Sequence, residues 1–285
     1  MLALFQMTWF GWISFEGHRV ALYFSTPSQS DDIIELDDEV VHVTCTHLHV
    51  GILLKNGRVG VRRIDDLDGK VEMLNMEEAG VENRILVSTS RQMFVVLVHK
   101  GRSEVLRILD DAVGIENLKD KLKHRIAFPW PVKIEQAAAG HDFLIYRDST
   151  GNLFSMGTGT RGELGVGLVR HLDEPVHIEQ LAGIRISKVV CGGWHTVALT
   201  AAGDVYTWGW NRNGQLGKDK MITEVYPILI DPLEEFNCPE ENVDDIEATE
   251  NSSTIIVKST DSKNEITKYM LGSDTVPING FHLIL

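Results

Sequence analysis

The chain has 285 residues and a formal net charge of −14, with 41 acidic against 27 basic side chains. Phosphate binding asks for clustered Lys and Arg, so this balance disfavours direct, non-specific binding to nucleic acid. At 43 % hydrophobic and 24 % charged residues the composition is that of a soluble globular protein, and no apolar run approaches the roughly 20 residues that span a bilayer.

The opening stretch, MLALFQMTWFGWISF, is apolar but has no basic n-region and no small-residue cleavage site. It reads as structure and not as a signal peptide. Met7 to Phe15, with its Trp-Phe-Gly-Trp run, looks like the second half of a strand unit whose first half is missing. The expectation is that this strand completes the last unit of the fold, because a ring of sheets must pair its first and last members to remove an open edge. Ser25 to Asp38 is rich in Ser and Asp and reads as a connection.

Val40 to Val61 is a degenerate unit with a hairpin turn at Lys55-Asn56-Gly57. Asp65 to Asn83 is acidic and loop-like. Ile85 to Leu109 is the next degenerate unit, with Phe94 to Val98 as a buried strand. In Asp110 to Lys123, Ile115, Leu118 and Leu122 fall at helical spacing and suggest a short helix. Phe128-Pro129-Trp130-Pro131 is stiff and extended, and its prolines place it on a loop or an edge.

Two strong repeats follow. Ala138 to Gly165 lies on Cys191 to Gly217 without a gap when shifted by 52 residues (203 − 151). Gly140 then meets Gly192, Gly151 meets Gly203, Phe154 meets Tyr206, Met156 meets Trp208, Gly157 meets Gly209 and Gly162 meets Gly214. Within each copy, two short strands flank a glycine turn, and such a hairpin is marginal by itself in water. A period near 50 with glycine–aromatic punctuation is the signature of radially repeated blades. Leu168 to Leu181 carries Pro175 between the copies. Lys218 to Asp245 reads as an acidic loop insertion, with Glu234 and Glu235 among its acids. Ile246 to Leu271 is the last unit, with Thr254 to Val257 as its central strand and Tyr269 to Gly272 as a weak echo of Tyr206 to Gly209.

The motif at Gly192–Gly217, G-x-x-H-T-x-A-L-T-x-x-G-x-V-Y-x-W-G-x-N-x-x-G-Q-L-G, resembles the repeat of the regulator of chromosome condensation family. The strong likeness covers about a fifth of the chain. It implies an all-β fold, a single β-propeller domain over residues 1–285. About five units are countable, near residues 49, 93, 143, 195 and 252, and six or seven remain open because degenerate regions can hide a blade.

At several positions candidate chemistry competes with packing. Cys45, His47 and His49 would share one face of a strand and suggest zinc, but no fourth ligand is placed and His49 sits at the repeat's structural position, so no metal site is expected. His195 in GGWHT is a packing and hydrogen-bonding residue on the same grounds, its equivalent in the neighbouring copy being Phe143. The turn Gly157 to Gly162 opens no helix and lacks the Lys-Ser/Thr of a phosphate-binding loop. No G-x-S-x-G elbow occurs. No catalytic residue, cofactor or metal is therefore expected, and the chain reads as a non-enzyme. Cys45, Cys191 and Cys238 show no CxxC spacing and read as free thiols in a reducing compartment.

Candidate partner-binding residues lie on loops: Trp130, Trp194 and Trp210 as aromatic anchors, with Arg212 close after Trp210 and Glu234 and Glu235 in the acidic insertion. Trp208 is expected to pack between blades. The resemblance implies a chromatin-associated adaptor that binds a Jumonji-C oxygenase or histone demethylase, with a role in histone methylation and chromosome segregation or spindle organisation. Iron and 2-oxoglutarate would then belong to that partner. It implies the nucleus as the location, with the cytoplasm as a second one, and histones as a further partner. Two alternatives stay open, a guanine nucleotide exchange factor for a small nuclear GTPase and a direct nucleosome-binding module.

Overall fold

The computed structural model describes residues 4–7, 11–24, 32–66, 69–74, 79–111, 125–217, 222–231, 243–258 and 266–272. The chain divides into two compact units, Met1–Ile134 and Glu135–Leu285. The first unit holds three four-stranded antiparallel sheets. They are β1 (Leu4–Met7), β2 (Gly11–Glu16), β3 (Arg19–Phe24) and β4 (Asp32–Glu35); β5 (Val40–Cys45), β6 (His49–Leu54), β7 (Val59–Arg63) and β8 (Glu72–Leu74); and β9 (Val81–Ser88), β10 (Gln92–His99), β11 (Arg102–Asp110) and β12 (Arg125–Ala127). The second unit holds β13 (Ile134–Ala139), β14 (Phe143–Asp148), β15 (Leu153–Gly159) and β16 (Val169–His177), then β17 (Ile186–Cys191), β18 (His195–Thr200), β19 (Val205–Gly209) and β20 (Glu224–Ile230). Its third sheet is β21 (Asp245–Ala248), β22 (Ser252–Lys258) and β23 (Ile266–Gly272). Neighbours in sequence are neighbours in each sheet.

The second strand of each sheet explains the apolar runs in the sequence. All of β6 and all of β18 are buried. A strand covered on both faces loses the alternation of a half-exposed strand and reads as a continuous hydrophobic run. The two faces of one strand serve two different cores. Ile52 and Leu54 join Ile13, Val20 and Leu22 of the first sheet, whereas Leu53 joins Leu86, Met93 and Val95 of the third. In the second unit Ala198 packs with Phe143, Ile145 and Leu153, whereas Val197 and Leu199 pack with Ile246, Ile255 and Val257. Within each unit these cores lie between successive sheets, so a sheet depends on its neighbours in that unit for burial.

Several expectations are corrected. The N-terminal strand does not complete the last unit, because β1 pairs with β2, and β2 with β3, in a sheet of their own. Ser25 to Asp38 is not merely a connection, since it contains β4. Asp65 to Asn83 contains β8. The span 218–245 is not wholly an insertion, because Glu224–Ile230 forms β20 and pairs with β19. The helical spacing at Ile115, Leu118 and Leu122 lies outside the described residues.

The 52-residue offset survives in the strand register. Phe143 pairs with Gly157 as His195 pairs with Gly209. Ser252 pairs with Gly272 in the same manner, so the weak echo at Tyr269 to Gly272 is a third copy. The three glycines share one geometry. Their φ angles are +108°, +104° and +81°, and a Cβ would stand 2.5, 2.5 and 2.6 Å from the carbonyl oxygens of Asp142, Trp194 and Asn251. Only glycine meets both demands. Pro175, which has no N–H to donate, falls in the edge strand β16, as it must.

Gly209→Ala is expected to lower stability by more than Gly183→Ala. Both glycines have positive φ, but nothing lies within 4 Å of the Cβ position at Gly183. Gly183→Ala should show backbone strain alone, about 1 kcal/mol, and Gly209→Ala about 3 kcal/mol or more. Urea midpoints of the two variants check this, and equal losses would contradict the close-approach account.

Candidate functional site

The loops between the first and second strands, and between the third and fourth, converge at one end of the sheets in the second unit. Backbone bonds pass from loop to loop. The His141 N–H donates to the Gly193 carbonyl at 3.0 Å, and the Gly193 N–H donates to the Glu250 carbonyl at 3.0 Å. The Trp210 N–H donates to the Trp194 carbonyl at 2.8 Å. Side chains reinforce the frame. The Glu163 carbonyl accepts the Trp208 indole N–H at 2.9 Å and the Thr196 hydroxyl at 3.1 Å. Trp208 is fully buried, as expected for a side chain between blades. His195 Nε2 lies 2.9 Å from the Ser253 hydroxyl, which donates to the Gln215 carbonyl at 2.8 Å. His195 is therefore a buried tie to β22, the structural role expected of it.

On this frame sits a ring cluster. The Trp194 and Trp210 rings meet edge to face, centroids 5.3 Å apart at 85°. The Arg161 guanidinium lies 4.4 Å from the Trp194 centroid and 5.7 Å from that of Trp210. The His141 ring is 4.5 Å from Trp194, and its Nε2 is 3.2 Å from Glu250 Oε1. Both indoles are half-buried and Arg161 is exposed. Below, the buried Glu163 carboxylate accepts the Arg161 backbone N–H at 2.6 Å. Burial raises the Glu163 pKa above its ordinary value, against the opposing pull of the backbone N–H groups and the Arg161 charge.

Of the residues expected to bind a partner, the structure brings Trp194 and Trp210 together. Arg212 is exposed in the loop that follows Trp210. Trp130 lies in the other unit, in the bend after β12, and exposes 43 % of its surface. Glu234 and Glu235 lie outside the described residues. Sequence reasoning missed Arg161 and His141. The signal was available in the repeat: the 52-residue offset puts Arg161 opposite Asn213 and His141 opposite Gly193, so both are departures from the neighbouring copy.

The zinc geometry is corrected. Cys45 ends β5 and His49 begins β6, so Cys45, His47 and His49 do not share a strand face. His49 Nδ1 instead meets Asp111 Oδ1 at 2.8 Å in a buried pair, and the Thr46 hydroxyl donates to the same oxygen at 2.8 Å. Among the described residues no group of three His, Cys, Asp or Glu is placed to hold a metal ion. Cys45 and Cys191 are free, and burial pushes each thiol up to about 12.

Models of the regulator of chromosome condensation (RCC1) repeat match residues 150–199, 202–254 and 186–215. Residues 150–254 are thus similar to RCC1 repeats. It is 41 % identical over 85 residues to mouse RCC1 domain-containing protein 1; that match covers 30 % of this chain and 22 % of the relative. The chain thus matches about a fifth of that relative's length. Human WBSCR16 resembles it with a TM-score of 0.62 at 20 % identity, over 87 % of this chain and 69 % of that one. Saccharomyces cerevisiae Prp20p, whose structure was described with its binding to Gsp1p and histones, gives a TM-score of 0.55 at 17 % identity, over 84 % and 66 %. These likenesses show the fold alone, all-β and built from antiparallel sheets as in those two structures. The ring cluster falls inside the RCC1-repeat region apart from His141.

Because the folded-state pKa of Glu163 is raised, the folded protein binds more protons than the unfolded chain between the ordinary glutamate pKa and the raised one. Stability contributed by this group therefore falls as pH rises through that window. Glu163→Gln should flatten this fall, so that the variant's stability relative to wild type is greatest at neutral pH and declines toward pH 4. Urea midpoints from pH 4 to 8 check this, and parallel curves would contradict it.

Proposed function

We propose that this chain is a non-enzymatic RCC1-repeat adaptor, each of its six sheets serving as one blade, and that it docks a protein partner through the Trp194–Trp210 pair that Arg161 covers. One observation carries the reading. Two tryptophans, a residue type enriched at binding hot spots, stand partly exposed on loops whose backbones are fixed by hydrogen bonds from loop to loop. A preorganised surface of this kind loses little conformational entropy on association. The net charge of −14 favours a partner with a basic surface over nucleic acid. The partner proposed is a Jumonji-C oxygenase or histone demethylase, in the nucleus, with a role in histone methylation and chromosome segregation or spindle organisation. Likeness to RCC1 domain-containing protein 1 supports this assignment over the matched residues.

The test is capture from nuclear extract with the tagged chain. The expected result is a one-to-one complex with a Jumonji-C protein, weakened about tenfold or more by Trp194→Ala or Trp210→Ala. The buried Trp208 indole signal reports that each variant is folded. Undiminished binding by folded variants would contradict the docking surface. Stoichiometric recovery of a GTPase or of histones instead would replace the adaptor reading with nucleotide exchange or nucleosome binding.

A further inference from the structure

The two indoles of the cluster form a right-angled corner, with ring planes 85° apart. The cation now in that corner is the chain's own Arg161. Its guanidinium stacks closely on Trp194 at 4.4 Å but stands 5.7 Å from the Trp210 centroid, near the roughly 6 Å limit of a useful cation–π contact. The mismatch is geometric. A guanidinium is flat and can lie face-on against only one of two perpendicular walls. A compact, rounded cation can touch both.

We propose that the Trp194–Trp210 corner is a recognition site for a methylated lysine ammonium in a basic segment of a partner, with Arg161 as the built-in competitor that this group displaces. The inference takes the ring cluster as the docking surface proposed above and names the chemistry it recognises. A partner arginine would exchange one flat guanidinium for another and gain little. An unmethylated ammonium is compact but strongly hydrated, so drying it against two rings costs more. A methylated ammonium keeps the charge, sheds most of that hydration and presents a rounded apolar surface to both indoles. The displaced Arg161 is exposed and regains water. Glu250, more than half exposed beside His141, and the overall charge of −14 favour the approach of a basic segment.

The test needs no partner protein. N-acetyl-trimethyllysine amide is titrated into the full chain, and the indole N–H signals are followed by NMR. The expected result is a saturable shift of the Trp194 and Trp210 signals with Trp208 unmoved. Arg161→Ala should bind the probe about two- to fivefold more tightly, the factor that loss of an exposed cation–π competitor implies. Trp194→Ala should lose the saturable shift. A neutral analogue in which carbon replaces the quaternary nitrogen should give none. Absence of a saturable shift in both wild type and Arg161→Ala, with the Trp208 signal in its folded position, would overturn the proposal. Equal binding of the neutral analogue would overturn it too. If the probe fails while capture of the partner still depends on Trp194, the docking surface stands and only this chemistry falls. If the probe binds while capture ignores Trp194, the docking surface falls and the cation site stands.

Discussion

Everything in the second unit hangs on the tie from one sheet to the next. A sheet of three or four short strands whose second strand is buried on both faces has no stable existence alone. Its neighbours supply the missing contacts through side chains and through hydrogen bonds. The Gln136 amide shows the principle. It donates to the Val189 carbonyl at 2.7 Å and accepts the Val189 N–H at 3.1 Å, acting as a short stretch of strand between β13 and β17. Lys188 continues the series by pairing with Asp245 at 2.6 Å. At the loop end, the bonds from His141 to Gly193 and from Gly193 to Glu250 do the same work with backbone groups.

These ties give the loops their rigidity. The third-to-fourth-strand loop of one sheet is held by the next, through the Trp208 indole and the Thr196 hydroxyl on the Glu163 carbonyl. Arg161 is placed over Trp194 because residue 163 is fixed. The first unit solves the same problem with different chemistry. There the His47 N–H donates to the Ser90 carbonyl at 2.7 Å, and His49, Thr46 and Asp111 form a buried polar knot. A polar group buried without a partner is costly, so this knot accounts for the histidine without invoking a ligand role. Function, on this view, belongs to the residues that the ties leave facing water.

The central strands and the two strong copies were legible in the sequence because they are apolar and evenly punctuated. The offset of 52 residues predicted the register that Phe143–Gly157 and His195–Gly209 adopt. Even the faint Tyr269–Gly272 echo held, since the closing glycine is forced by the same near-contact with a loop carbonyl. The outer strands were hidden. β4 is Asp-Ile-Ile-Glu, β8 is Glu-Met-Leu, and β20 sits in a span rich in acids. Short edge strands bury one face at most, so their composition blends with that of loops. That concealment produced the error over the N-terminal strand, which builds its own sheet with β3 and β4. The tryptophans of the cluster were visible as residue types. Arg161 stood out only as a departure from the neighbouring copy, because its contact with Trp194 crosses from one repeat to the next.

The second unit sets a buried frame against an accessible surface made from the same residue type, and the proposed docking depends on that contrast. Hydrogen–deuterium exchange of the three indole N–H groups in the second unit tests it most directly. Trp208, fully buried and bonded to the Glu163 carbonyl, should exchange only through large-scale opening, at least about a thousandfold more slowly than the two loop indoles. Trp194 and Trp210 should exchange rapidly from the folded state. Comparable rates for all three would mean that the loops and the frame open together, and the rigid docking surface would have to be abandoned.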